Sequence, residues 1–150
     1  AANDVEHLAQ LFKETIENIN ANDYSPEQIS VWSKGSSKIE WLLKKIEQQY
    51  FLVAEKSSTI VGFGSITQNG YLDFMYVSKD HERKGVAQKI YDALEIFART
   101  NCFDQIVPDV SITAKPFFRR KGFEVVKVQQ VDIEGIKLTN YKMQKHLSLR

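Results

Sequence analysis

Apolar positions recur at helical spacing through the first fifty residues and at strand spacing after them. Val5, Leu8, Leu11, Phe12, Ile16 and Ile19, with Thr15, fall on one face behind an Asn3-Asp4 start signal, which predicts a helix over residues 4–19. Ser25-Pro26-Glu27-Gln28 supplies a capping hydroxyl, proline at the first helical position and glutamine three residues after the cap. That is the capping-box arrangement, and it starts a second helix carrying Ile29 and Trp32. Ile39, Trp41, Leu42, Leu43 and Ile46 predict a third short helix, with Lys44 and Lys45 on its solvated face.

From Tyr50 the period shortens to that of strands. YFLVAE, TIVGFGSIT and YLDFMYV are separated by Lys56-Ser57-Ser58 and by Gln68-Asn69-Gly70. The Asn-Gly pair predicts a tight hairpin in which both turn positions accept positive φ. A long amphipathic helix follows, with Val86, Ile90, Tyr91, Leu94, Phe97 and Ala98 on one side and Asn101 as its C-cap. QIVPDVS is then a strand interrupted by Pro108; proline has no N–H to donate, so it belongs where the strand is incompletely paired. AKPFFRRKGF reads as a short helix with Pro116 in its first turn and Gly122 past its end. VVKVQQVDI and IKLTNYKM flank Glu134-Gly135 as a closing hairpin. No repeat, linker or low-complexity segment interrupts this order, which predicts one α+β domain over residues 1–150 on a mixed sheet.

Composition removes several function classes. A chain of 150 residues buries about 70% of its unfolded surface, enough for a core without disulfide or metal. Lys+Arg 20 against Asp+Glu 19 leaves a net charge of +1, so the whole chain carries no argument for nucleic acid or an anionic membrane. Cys102 has no internal disulfide partner, and no apolar run approaches the roughly 18 residues of a membrane span. A cytoplasmic setting is expected, and no secretory leader is visible, although a start at Ala1 without Met is compatible with processing. His7, His81 and His146 are scattered without ligand spacing, so no metal is expected, and Cys102 reads as structural.

The densest candidate chemistry is HERKGVAQKI, residues 81–90, at a strand-to-helix turn. Such a turn presents unpaired N–H groups and the positive end of the helix dipole to one spot, where an anion binds. Gly85 lets a phosphate approach the backbone, Ala87 is small, and Arg83 and Lys84 add charge. A surface turn with solvated charges explains the same residues. The longer phosphate motifs are absent: there is no Gly-x-x-x-x-Gly-Lys, and a single Gly85 cannot make Gly-x-Gly-x-x-Gly.

Glu82-Arg83-Lys84-Gly85-Val86-Ala87 resembles the Gln/Arg-x-x-Gly-x-Gly/Ala signature of the GCN5-related N-acetyltransferases, with Glu82 departing from it. YLDFMYVSKDHERKGVAQKIYDALE resembles that family's fourth strand, loop and third helix in unbroken order, and SITAKPFFRRKGF its later motif. NANDYSPEQISVW and AKPFFRRKGF resemble an uncharacterised bacterial subgroup. The resemblance implies a three-layer fold: a mostly antiparallel twisted sheet flanked by helices, with two central strands splayed apart. It also implies a strand before the first helix; here the chain starts at Ala1-Ala2-Asn3-Asp4, so that strand is expected to be missing or truncated.

The implied cosubstrate is acetyl-CoA, without a metal. Its pantetheine arm would lie along the main chain of Met75, Tyr76 and Val77, and its pyrophosphate on the N–H groups of Arg83, Lys84, Gly85, Val86, Ala87 and Gln88. Ser111 stands where the family often has Asn, and would bond the pantetheine or cap the short helix. Phe118 stands where the family usually carries the tyrosine that protonates the departing thiolate, and it has no proton to give. Tyr76 and Tyr141 are candidate substitutes, as is solvent. Asp73, four residues before Val77, is the candidate base for the incoming amine; a solvent-facing strand residue is the alternative. Arg119, Arg120 and Lys121 either meet the adenosine 3′-phosphate or complement a helix C-terminus, and Tyr24, Trp32 and Trp41 either wall an acceptor pocket or fill the core. The implied partner is a small amine or an amino terminus, not nucleic acid or membrane, and a homodimer is left open. The rival readings are an idle acyl-CoA-binding module of the same fold and an unrelated phosphate-binding α+β domain.

Overall fold

Residues 5–33, 39–81 and 84–147 are described by the computed structural model. Residues 1–4, by which the expected first strand should already have ended, lie outside them. The three N-terminal apolar stripes form α1 (Val5–Asn18), α2 (Pro26–Ser33) and α3 (Ile39–Gln48), with a 3₁₀ turn at Asn20–Asn22. The capping box closes reciprocally: the Gln28 N–H donates to Ser25 Oγ at 3.1 Å and the Ser25 N–H to Gln28 Oε1 at 2.8 Å.

The strands are β1 (Tyr50–Lys56), β2 (Thr59–Ile66), β3 (Tyr71–Val77), β4 (Gln105–Ser111), β5 (Glu124–Ile133) and β6 (Ile136–His146). A 3₁₀ turn at Lys79–His81 leads into α4 (Val86–Thr100), and α5 (Lys115–Arg120) lies between β4 and β5. The sheet order is β1-β2-β3-β4-β6-β5, antiparallel except at β3–β4. A parallel pair needs a crossover, which α4 supplies. The sheet separates two cores. Leu8, Phe12, Ile16, Ile29 and Leu42 of α1–α3 pack with Phe63 and Phe74 on one face. Ile90, Tyr91 and Leu94 of α4 and Phe118 of α5 pack with Ile106, Val110 and Met143 on the other. The fold is therefore the three-layer α+β arrangement that the resemblance implied.

One turn differs from its expected form. In the β2–β3 turn the Gly70 N–H donates to the Thr67 carbonyl at 3.1 Å, and the Thr67 N–H donates to the Tyr71 carbonyl at 2.9 Å. Only Gly70 has positive φ, at 86°. This is a three-residue loop ending on a left-handed glycine, not a two-residue Asn-Gly hairpin. The two-residue form appears instead at Glu134-Gly135, with φ of 50° and 83°, and at Ser57-Ser58, which reaches positive φ without glycine. At the end of α4 the C-cap is Asn101, as expected: its side chain donates to the Phe97 carbonyl at 2.8 Å, and the left-handed residue that follows is Cys102, φ 59°.

Candidate active site

β3 and β4 are paired only at Tyr71↔Val107 and Leu72↔Pro108. Beyond that point the described residues form no rung between them, so the strands diverge toward the C-terminal end of β3. Pro108 sits at the fork, and it also falls in the gap of the β4–β6 ladder between Ile106↔Lys145 and Asp109↔Lys142. A residue with no N–H is least costly there. The β3 edge from Asp73 to Val77 is left without a partner strand on the β4 side.

β3 then leads into the turn before α4. Gly85 occupies the N-cap of α4 with φ 81°, and among the described residues no side-chain hydrogen bond caps the helix. A Cβ built on Gly85 meets nothing within 4 Å among the described residues. Glycine is required there by backbone conformation, and among the described residues nothing fills the space its Cβ would take. Val86 and Ala87 are half-buried, while Lys84 and Gln88 are exposed. Arg83 and Glu82 lie outside the described residues.

α4 reaches this place because β2 has no side chains beneath it at two positions. A Cβ on Gly62 would lie 2.9 Å from Ile90 Cδ1, and one on Gly64 would lie 2.6 Å from Ile90 Cγ2. The missing methyls let the helix lie directly on the strand.

The Asp73 side chain is fixed by a bulge. Ser65 is opposite Phe74 and Ile66 is opposite Leu72, so Asp73 is the extra residue on β3. Its carboxylate turns to the α1–α3 face, where Lys45 Nζ lies 3.0 Å from Oδ2 and Gln49 Nε2 donates to the same oxygen at 2.7 Å. Ser65 Oγ donates to Gln49 Oε1 at 2.6 Å, which fixes the amide's orientation. Lys45 is therefore not a purely solvated lysine: it pairs with Asp73 and stands 5.7 Å over the Trp41 ring. Sequence reading missed Lys45, Gln49 and Ser65, and helical periodicity gave no signal for them because all three are polar residues partnered across elements.

The other candidates divide between the two faces. Tyr76 packs on the α1 side against Phe12 and Phe63, at centroid distances of 4.9 and 5.5 Å. Burial pushes its phenol up, the Trp32 indole acts the other way, and the Asp73 carboxylate adds to the rise, so Tyr76 keeps its proton at neutral pH. Met75 and Val77 face the α4 side. Tyr141 lies there too, on β6 opposite Val110, with Lys115 Nζ 4.2 Å over its ring. The two candidate tyrosines are thus on opposite sides of the sheet. Ser111 Oγ accepts from the Ala114 N–H at 3.1 Å and so caps the turn into α5. Phe118 is 3% exposed, with Tyr91, Phe117 and Phe123 edge-on at 6.3, 5.4 and 5.1 Å.

Fork, open strand edge and uncapped helix start form one continuous feature, and comparison with known proteins gives it a family. The Acetyltransferase (GNAT) domain profile matches residues 20–145. The chain belongs to the GCN5-related N-acetyltransferase family. It is 34% identical over 140 residues to the uncharacterized N-acetyltransferase YafP of Escherichia coli K12, covering 93% of this chain and 88% of the relative. A GCN5-related N-acetyltransferase from Rhodopseudomonas palustris superposes with a TM-score of 0.93 at 30% identity, covering 97% of this chain and 91% of that one. The PaiA N-acetyltransferase of Thermoplasma acidophilum, solved with coenzyme A, shares the fold at 21% identity and a TM-score of 0.80, covering 98% and 95%. As a member of this family the chain is an N-acetyltransferase that carries out acetyl transfer. Among the described residues no cluster of His, Cys, Asp or Glu could hold a metal, and no helix is long and apolar enough to cross a membrane.

Proposed function

We propose that the chain transfers an acetyl group from acetyl-CoA directly to an amine of a small molecule or an amino terminus, in the cytoplasm and as a single domain. The observation that carries this reading is the fork: β3 loses β4 after Leu72, and the open edge leads to an uncapped helix start. An amide-bearing pantetheine chain fits an unpaired strand edge, and a pyrophosphate fits free N–H groups at a helix N-terminus. Acetyl-CoA bound there supplies an activated acyl group and a thiolate leaving group.

The main chain of Met75, Tyr76 and Val77 holds the pantetheine arm. The N–H groups from Arg83 to Gln88, with Gly85 giving close approach, hold the pyrophosphate. Ser111 keeps the end of β4 turned into α5, and Phe118 packs the base of that helix without offering a proton. Asp73 is the base: the bulge turns its carboxylate onto the face that Tyr76 shares, where it takes the ammonium proton directly or through water. Lys45 and Gln49 hold that carboxylate in place. The departing thiolate takes its proton from Tyr76 on that face, from Tyr141 on the other, or from solvent.

Phe118 favours one second reading, a module that binds acyl-CoA without turning it over. Release of CoA thiol from acetyl-CoA across a panel of primary amines separates the two. Amine-dependent release supports the enzyme. Bound acetyl-CoA that no amine discharges supports the module.

A further inference from the structure

Resting on the cosubstrate reading above, we propose that Tyr24 is a positioning residue whose hydroxyl is wedged into the β4–β6 ladder and sets the β4 wall of the slot. The ladder's last rung is Ser111↔Asn140, so the next would join Ile112 to Thr139. That rung is replaced. Tyr24 Oη accepts the Ile112 N–H at 2.9 Å and donates to the Thr139 carbonyl at 2.7 Å. One phenol oxygen thus relays two bonds where the backbone would make one, and holds the chains further apart than a direct bond of about 2.9 Å.

Burial pushes the Tyr24 phenol up while the Ile112 N–H acts in the opposite sense, and the hydroxyl keeps the proton it gives to Thr139. A second bond ties the same segment to the turn that follows β4: Thr113 Oγ1 donates to Asp23 Oδ2 at 2.8 Å. Asn20 Nδ2 approaches Ser111 Oγ at 3.5 Å. The Tyr24 ring stands edge-on to Trp32 at 5.2 Å, which fixes the direction of the hydroxyl.

The end of β4 has no β3 neighbour beyond Pro108. No rung on the slot side fixes its position, so it is set from the β6 side, where the Tyr24 hydroxyl spaces Ile112 from Thr139. Removing the hydroxyl lets Ile112 pair directly with Thr139 or leaves its N–H without a partner, and either change moves the wall.

Tyr24→Phe removes one oxygen and keeps the ring. We expect the dissociation constant of CoA to rise about tenfold in a chain whose circular dichroism matches wild type. Hydrogen exchange at the Ile112 amide changes with it. Ile16→Val, in the α1 core, provides a control that lowers the melting temperature without changing CoA affinity. A folded Tyr24→Phe chain with wild-type CoA affinity overturns the proposal. A wild-type chain that does not bind CoA overturns the cosubstrate reading instead, and the wedge is then judged on exchange alone: unchanged Ile112 protection in Tyr24→Phe overturns it.

Discussion

Leu72 and Phe74, two residues apart on β3, pack into opposite cores: Leu72 with α4 and Phe74 with α1. In a regular strand they would share a face. The bulge at Asp73 reverses the alternation and puts the carboxylate beside Phe74, on the side of Tyr76. Asp73→Asn keeps the shape and removes the charge. Turnover is expected to fall by roughly a hundredfold or more, with CoA affinity unchanged. Equal turnover in the two proteins would remove Asp73 as the base.

Gly64→Ala tests how closely α4 lies on β2. The new methyl would stand 2.6 Å from Ile90 Cγ2 and 3.2 Å from the Phe74 carbonyl oxygen. Ile90 can give way only by moving the helix or leaving its rotamer, so the change should cost about 1–3 kcal/mol. A urea midpoint equal to wild type would show that the helix has slack.

Glu95 of α4 accepts from Tyr91 Oη at 2.5 Å, Lys145 Nζ at 2.8 Å and Arg99 Nε at 3.0 Å. Burial works to raise its pKa, but these donors outweigh it and hold the carboxyl at about 2, against an ordinary 4.5. A carboxyl depressed on folding contributes stability above its unfolded value, and that contribution is lost as pH falls from about 4.5 toward 2. Glu95→Gln should therefore be less stable than wild type at neutral pH, with the gap closing across that window. A gap that stays constant throughout would contradict the assignment.

Ser57 and Ser58 sit at φ of 53° and 67° between β1 and β2. The left-handed region costs an L-residue roughly 1–2 kcal/mol, partly offset by glycine's greater freedom when unfolded. Ser58→Gly should stabilise the chain by about 0.5–1 kcal/mol in a denaturant titration. Destabilisation would mean that the serine makes a contact worth more than its strain.

The helices, the strands and the position of Pro108 were legible because each rests on a local property: period, capping chemistry or a missing donor. The charged turn was legible as a place but not as a contact, since Gly85 shows its need for positive φ only in the folded backbone. The bulge was not legible. Leu72-Asp73-Phe74 reads as ordinary apolar-polar-apolar alternation, and the slip becomes visible only in the register against Ser65 and Ile66. Lys45 was hidden for a related reason: its helical spacing says surface, and its partner is 28 residues away on β3. Tyr24 reads as an aromatic packing residue, and its hydroxyl acquires meaning only where β4 and β6 stop pairing.

The central claim is that the fork between β3 and β4, together with the start of α4, holds CoA. Calorimetric titration with CoA and with ATP, of wild type and of Gly85→Glu, tests it most directly. The account predicts that wild type binds CoA more tightly than ATP. It also predicts that folded Gly85→Glu binds CoA at least roughly tenfold more weakly, because a carboxylate then faces the phosphates. Absence of CoA binding to wild type, ATP bound equally well, or an unchanged CoA affinity in Gly85→Glu would contradict it.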